Sequence, residues 1–186
     1  MTIDIPFSQI FQALIETTRN IWSLEFVLVT LSRSDCEALG TVLKDYHKLQ
    51  YLDLWISEVN VDDFEVVCQG LARNQGLLCL KLCVSYQLFK CNAMVFKALQ
   101  EKGNLQKLVI QGSDVREECC QELSVLLKSN EALEELDMSF CDLTDENSEA
   151  LSSGIRGNKG LKIFEFHRNE FSSEGMNLLL SALKDH

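Results

Sequence analysis

The sequence predicts an α/β solenoid: a stack of strand–helix units whose parallel sheet lines the inside of a horseshoe and whose helices cover the outside. Three observations predict it. The chain repeats itself every 28 residues. The hydrophobic period changes, halfway through each unit, from that of a strand to that of a helix. And the chain, 186 residues that are 46% apolar and 24% charged, can bury a continuous core.

Six units begin at Ile21, Leu49, Leu77, Leu105, Leu133 and Leu161. The clearest opens Leu133-Glu134-Glu135-Leu136-Asp137-Met138 and runs on to Cys141 and Leu143. The first, fourth, sixth, nineteenth and twenty-third positions are apolar in all six. At a 46% base rate that agreement has a probability of about 10⁻¹⁰ before any choice of register, so the repeat is not chance.

Taken in order, residues 1–20 read as the helical half of a preceding unit, with Phe7, Ile10, Phe11, Leu14 and Ile15 on its apolar positions. In each full unit the fourth and sixth positions alternate, as in Leu52 and Leu54 or Leu136 and Met138, which suits a strand with one buried face. Helical spacing follows, as in Val95, Ala98 and Leu99, or Ala150, Leu151 and Ile155. Ser32 with Asp35, Thr144 with Asn147, and Ser172 near Glu174 read as helix N-caps. Asn74, Asn130 and Asn158 stand near helix ends, where Asn is expected to take the left-handed turn back into the next strand. The chain reads as one domain over 1–186, ending inside its sixth helix.

Composition narrows the function. With 28 acidic against 17 basic residues the net charge is −11, which argues against a nucleic-acid partner. No apolar run has the length of a membrane span, and Met1-Thr2-Ile3-Asp4 lacks the basic start of a secretory signal. The expected compartment is the cytoplasm. The eight cysteines then read as free thiols, with Cys119-Cys120 as small buried hydrophobes. Nothing has zinc-site spacing, and no cofactor or metal is expected. Trp22 is expected to seal the N-terminal end of the core.

Strands pack about 4.8 Å apart and helices about 8–10 Å apart, so a stack that joins one layer to the other bends with its strands inside. The third, fifth and seventh residues of each strand then point into the hollow as ladders. The third are Ser23, Tyr51, Cys79, Lys107, Glu135 and Ile163; the fifth are Glu25, Asp53, Lys81, Val109, Asp137 and Glu165. The seventh are Val27, Trp55, Cys83, Gln111, Ser139 and His167. Tyr51, Asp53 and Trp55 place two aromatics and an acid on one strand, the composition of an interface hot spot. The candidate partner-binding residues are these three with Lys81, Asp137, Glu165 and His167, extended beyond the strands by Tyr86, Phe140 and Arg168. Two plainer readings stand beside this one: an acidic ladder is also a solvated face, and Trp55 also suits a cover over neighbouring sheet surface.

The LxxLxL strand phrase in an unbroken 28-residue unit with a helix in every copy resembles the leucine-rich repeat, ribonuclease-inhibitor subfamily. The resemblance spans essentially the whole chain. It implies that the ninth residue satisfies backbone groups at the turn out of the strand. Here that residue is Cys141 or Asn169 in two units, Ser57, Ser85 or Ser113 in three, and Val29 in the first. The subfamily's glycine at the fifteenth position survives only as Gly175, which leaves looser turns expected in the first four units, above all over 84–90. Proteins with this resemblance include cytosolic ribonuclease inhibitors, the sensing halves of NOD-like innate immune receptors, Ran GTPase activators and tropomodulin-type actin cappers.

What they imply in common is protein binding without a cofactor. The expected function is a non-enzymatic interaction module gripping a protein partner with a basic surface, on the concave sheet or its rim. It is read as the sensing or regulatory part of a larger receptor; the alternative is a regulator of a GTPase or of actin. Uncapped solenoid ends allow a homo-oligomer. Catalysis has little to build on: Glu165 and His167 lie two apart on one strand face with Ser139 alongside, about 6.6 Å by rise, and no nucleophile elbow exists.

Overall fold

The computed structural model describes residues 9–11, 13, 21–100 and 102–184. Phe7, Leu14 and Ile15 of the expected N-terminal half-unit lie outside them; Ile10 and Phe11 are helical, and Phe11 is buried with its ring 5.0 Å from that of Phe26.

Six strands form one parallel sheet in sequence order: β1 (Ser23–Leu31), β2 (Tyr51–Val59), β3 (Cys79–Val84), β4 (Lys107–Ile110), β5 (Glu135–Asp137) and β6 (Ile163–Glu165). The helices between and after them are α1 (Arg33–Asp45), α2 (Val61–Arg73), α3 (Phe89–Leu99), α4 (Glu117–Ser129), α5 (Asp145–Gly157) and α6 (Ser173–Lys184). Outside one bulge in β1 the pairings keep the 28-residue offset: Ser23, Tyr51, Cys79, Lys107, Glu135 and Ile163 stand side by side. The carbonyl of each second-position residue ties the stack further. Trp22, Gln50, Leu78, Gln106 and Glu134 each accept two N–H groups from the next unit, at 2.8–3.0 Å.

Leu52, Leu54, Leu80, Leu82, Leu108, Ile110, Leu136 and Met138 face the helices and are buried, with Leu39, Val67, Val95, Leu123 and Leu151 opposite them. One core therefore runs through all units, because no unit has a second apolar layer of its own. Between α1 and α2 the approach is backbone to backbone: a Cβ on Gly70 would lie 2.4 Å from the Gly40 carbonyl oxygen.

The caps follow the sequence where it marks them. Ser32 and Asp35 exchange bonds as a capping box, Asp35 N–H to Ser32 Oγ at 3.3 Å and Ser32 N–H to Asp35 Oδ2 at 3.0 Å. Thr144 N–H donates to Asn147 Oδ1 at 2.7 Å, and Glu174 N–H to Ser172 Oγ at 3.1 Å.

Four expectations change. Asn74, Asn130 and Asn158 have extended backbones (φ −68°, −103° and −84°), not left-handed ones. Their side chains make the turn instead. Asn158 Nδ2 donates to the carbonyls of Leu127 and Asn130 (2.7 and 2.9 Å) while its Oδ1 accepts from Gly160 and Leu161 (2.9 and 2.6 Å). Trp22 is 63% exposed and seals nothing, since the second position faces neither core nor ladder. A bulge in β1 sets Val29 opposite Ile56, a residue early, before the offset resumes at Thr30. And β4, β5 and β6 stop before the seventh position, so Gln111, Ser139 and His167 stand just past the strands.

Candidate functional site

Left-handed backbone follows the ends of β4, β5 and β6 and sits inside the bulge of β1. Leu28, Gly112, Phe140 and Arg168 have φ of 54°, 63°, 59° and 56°, and each is the eighth residue of its unit. In the second and third units that position holds Ile56 and Val84, whose β-branched side chains shun φ > 0, and there the strand runs on with both buried. Elsewhere the chain flips and the side chain swings out, leaving Leu28 63% and Phe140 56% exposed. A bulky residue held at φ > 0 costs on the order of 1–2 kcal/mol. The rim of the concave face thus presents large side chains at a local cost in stability.

The ninth residue stabilises this turn as the resemblance implies. Asn169 Nδ2 donates to the carbonyls of Met138 and Phe166 (2.8 and 2.9 Å), and its Oδ1 accepts from Cys141 and Leu143 (both 3.0 Å). Cys141 Sγ donates to the Ile110 carbonyl at 2.7 Å, Ser57 Oγ to that of Val29 at 3.0 Å, and Val84 N–H donates to Ser113 Oγ at 3.1 Å. No side-chain bond caps the turn at Ser85; the chain beyond it forms a 3-10 turn, Tyr86–Leu88, within the stretch expected to be loose.

The fifth-position ladder runs in register as Glu25, Asp53, Lys81, Val109, Asp137 and Glu165. Its like charges are compensated in the middle. Tyr51 Oη donates to Asp53 Oδ2 at 3.3 Å, and Lys81 Nζ lies 5.6 Å from the centre of the Tyr51 ring. The Tyr51 hydroxyl and Asp53 hold the Lys81 ammonium above its usual range. Asp137 is held by Gln111 Nε2 at 2.5 Å and Ser139 N–H at 2.9 Å, and Glu135 pairs with Lys107. Glu25 and Glu165, near the two ends, make no ion pair among the described residues.

At the centre of the sheet lies an open pocket of about 680 Å³. It brings together the expected site residues Asp53, Trp55, Lys81 and Phe140. Trp55, 43% exposed, and Phe140 stand as walls, with Val109 and Cys83 between them. Other expected residues lie apart. Tyr86 is exposed in the 3-10 turn; Tyr51 flanks the pocket through its contact with Lys81; Asp137 and Glu165 continue the ladder beyond it. His167 and Arg168 line a separate hollow of about 290 Å³ beside Phe164, Phe166 and Phe171 in the last unit. The central pocket also takes in Val27 and Val109, ladder members outside the ten candidates, and Gly112. The signal was available in the eighth position, where Gly112 alone lacks a side chain between Val84 and Phe140.

Ser139, the hydroxyl nearest His167 in the ladders, is buried, and its Oγ accepts the backbone N–H of His167 at 3.1 Å. All eight thiols are free, and burial raises every one, Cys36 to about 11, Cys91 to about 12 and Cys141 to about 12. Cys119 and Cys120 are buried hydrophobes, as expected, with burial raising both.

A six-stranded parallel sheet with one helix per 28-residue unit, inward leucines and a ninth-position turn ladder defines a leucine-rich-repeat solenoid. No family model matches the chain. It is 26% identical over 163 residues to "NACHT, LRR and PYD domains-containing protein 13" of Homo sapiens, covering 87% of this chain and 16% of that protein. To "NACHT, LRR and PYD domains-containing protein 4C" of Mus musculus it is 25% identical over 174 residues, covering 89% and 17%. The chain therefore spans about a sixth of the length of the curated relatives it matches. Among solved structures, the tropomodulin C-terminal domain of Caenorhabditis elegans superposes with a TM-score of 0.56 at 14% identity, covering 81% of this chain and 92% of that one. The structure titled "Leiomodin-1 Actin-Binding Site 2 (ABS2)" gives 0.56 at 9% identity, covering 96% and 88%. Both likenesses are of fold. No helix of the described residues is long and apolar enough to cross a membrane.

Proposed function

We propose that the chain is a non-enzymatic protein-interaction module that grips a protein partner on its concave sheet and the rim of outward-turned eighth residues. The carrying observation is the central pocket, where Trp55 and Phe140 stand exposed beside Asp53. Exposed aromatics beside charge are where binding energy concentrates. A net charge of −11 favours a partner with a basic surface over nucleic acid and speeds its encounter at low salt.

The names of the curated relatives, which print an LRR domain beside NACHT and PYD domains, support reading the chain as a leucine-rich-repeat part of a larger protein; we read that protein as a cytoplasmic receptor and this part as its sensing or regulatory domain. The test is affinity purification from native cytosol with the wild-type chain and Trp55→Ala. Retention of a protein by the first, with affinity falling by about 2 kcal/mol or more in the second, is the expected result. Equal retention by both excludes this surface. Co-sedimentation with filamentous actin and a GTPase turnover assay, run on the same samples, test the actin and GTPase alternatives.

A further inference from the structure

We infer that the central pocket receives an extended peptide segment of two or three residues in which a large apolar side chain stands next to an arginine or lysine. The inference deepens the interaction reading and rests on it.

The eighth-position side chains turn inward at Ile56 and Val84, and Gly112 has none, which leaves space above Cys83; a Cβ on Gly112 would lie 3.6 Å from Cys83 Sγ. Beneath the gap is Val109, the one aliphatic member of the fifth-position ladder, only 6% exposed. Trp55 closes one side and Phe140 the other. Trp55, Val109 and Phe140 give it apolar surface, and about 680 Å³ lies within the range of roughly 300–1,000 Å³ that small ligands fill. That is room for a few side chains, not for the flat face of a folded domain.

Charge supplies the rest and gives the segment a direction. Glu25 and Asp53 stand opposite one another on β1 and β2 at one end of the pocket. Lys81 offsets Asp53, which leaves Glu25 without an ion pair among the described residues. On the far side Asp137 is already held by Gln111 and Ser139. The attraction for a cation is therefore confined to the β1–β2 end, and the apolar anchor belongs at the Val109–Phe140 end. An acidic segment finds only Lys81, which is already engaged with Tyr51.

The test is panning of a phage-displayed library of random 12-residue peptides on the whole chain, followed by fluorescence anisotropy with one enriched peptide. Enriched sequences should carry a large apolar residue within two positions of an Arg or Lys. The chosen peptide should lose at least tenfold in affinity on Phe140→Ala and on Val109→Arg, lose affinity on Glu25→Gln with a flatter salt dependence, and keep it on Val125→Ala, which lies on α4 outside the horseshoe. Phe140 is exposed, so its variant reads binding even where Val109→Arg disturbs folding, and circular dichroism reports which has occurred. No enrichment, an acidic consensus, or affinity that survives Phe140→Ala overturns the inference. If panning fails while the chain still retains a protein in a Trp55-dependent way, the peptide pocket falls and the interaction reading stands. If both fail, both are wrong.

Discussion

Lys102 stands at the position that holds Asn74, Asn130 and Asn158 in other units, and the asparagine ladder breaks there. Its ammonium is buried and donates to the Asn74 carbonyl, while Asn130 Nδ2 finds no acceptor among the described residues. Burial pulls the Lys102 pKa down to about 8. The sign follows: between about pH 8 and the unfolded value near 10.5 the unfolded chain binds the extra proton, so the cost of this residue is fully present below pH 8 and is relieved as pH rises. Lys102→Asn should stabilise the protein at pH 7, by up to about 3 kcal/mol. Urea denaturation at pH 7 and pH 10 checks it: the advantage over wild type should shrink at the higher pH, and a gap that stays constant contradicts the assignment.

At the scale of the repeat, the eighth position sets the backbone at the outer part of each strand. Ile56 and Val84 keep the strand extended; Gly112, Phe140 and Arg168 turn left-handed beyond short strands, and Leu28 does so within the bulge of β1. Phe140→Gly should therefore raise stability by about 0.5–1 kcal/mol through relief of left-handed strain, read as a higher denaturation midpoint, while it weakens binding. Ile56→Gly should do the reverse to stability, because Ile56 is a buried strand residue.

The same position marks where the sequence was legible. The inward leucines, the register and the capping boxes at Ser32 and Thr144 follow from spacing and residue type alone, so strand order and core were readable. The eighth-position choice was readable too, in β-branching, but it needs the strand and its turn to be considered together. The asparagine ladder was not, because an Asn near a helix end reads as a left-handed cap until its carbonyl partners, 28 and 31 residues back in sequence, are placed beside it. Trp22 misled for a related reason: its apolar character was visible, but the second position's orientation only emerges once Gln50 and Tyr51 donate to its carbonyl. Of the candidate site, Asp53, Trp55, Lys81 and Phe140 converge, whereas Val109 and Gly112 stood outside the candidates because a pocket is made by what a side chain leaves empty.

Across the whole molecule the thiols dominate the alkaline response. Cys36, Cys91 and Cys141 are raised by burial to about 11, 12 and 12, and Cys68 and Cys120 are raised in the same way. A raised folded value means stability that is complete below the unfolded value near 9 and is lost as pH climbs past it. Urea midpoints should fall between pH 8 and pH 10, Lys102 opposing the trend in part, and Cys91→Ala should flatten the slope. The long acidic surface acts at the same scale: partner association should slow as salt is raised, since a Debye length of about 8 Å at physiological ionic strength screens distant charge.

Photo-crosslinking tests the concave-face claim most directly. A photoreactive amino acid is placed either at Val27, beside Trp55 in the pocket, or at Val125 on the outer face of α4, and each chain is irradiated with the protein retained from cytosol. Adducts from position 27 and none from position 125 are the predicted result. Adducts from position 125 alone would place the partner on the helices and contradict the account.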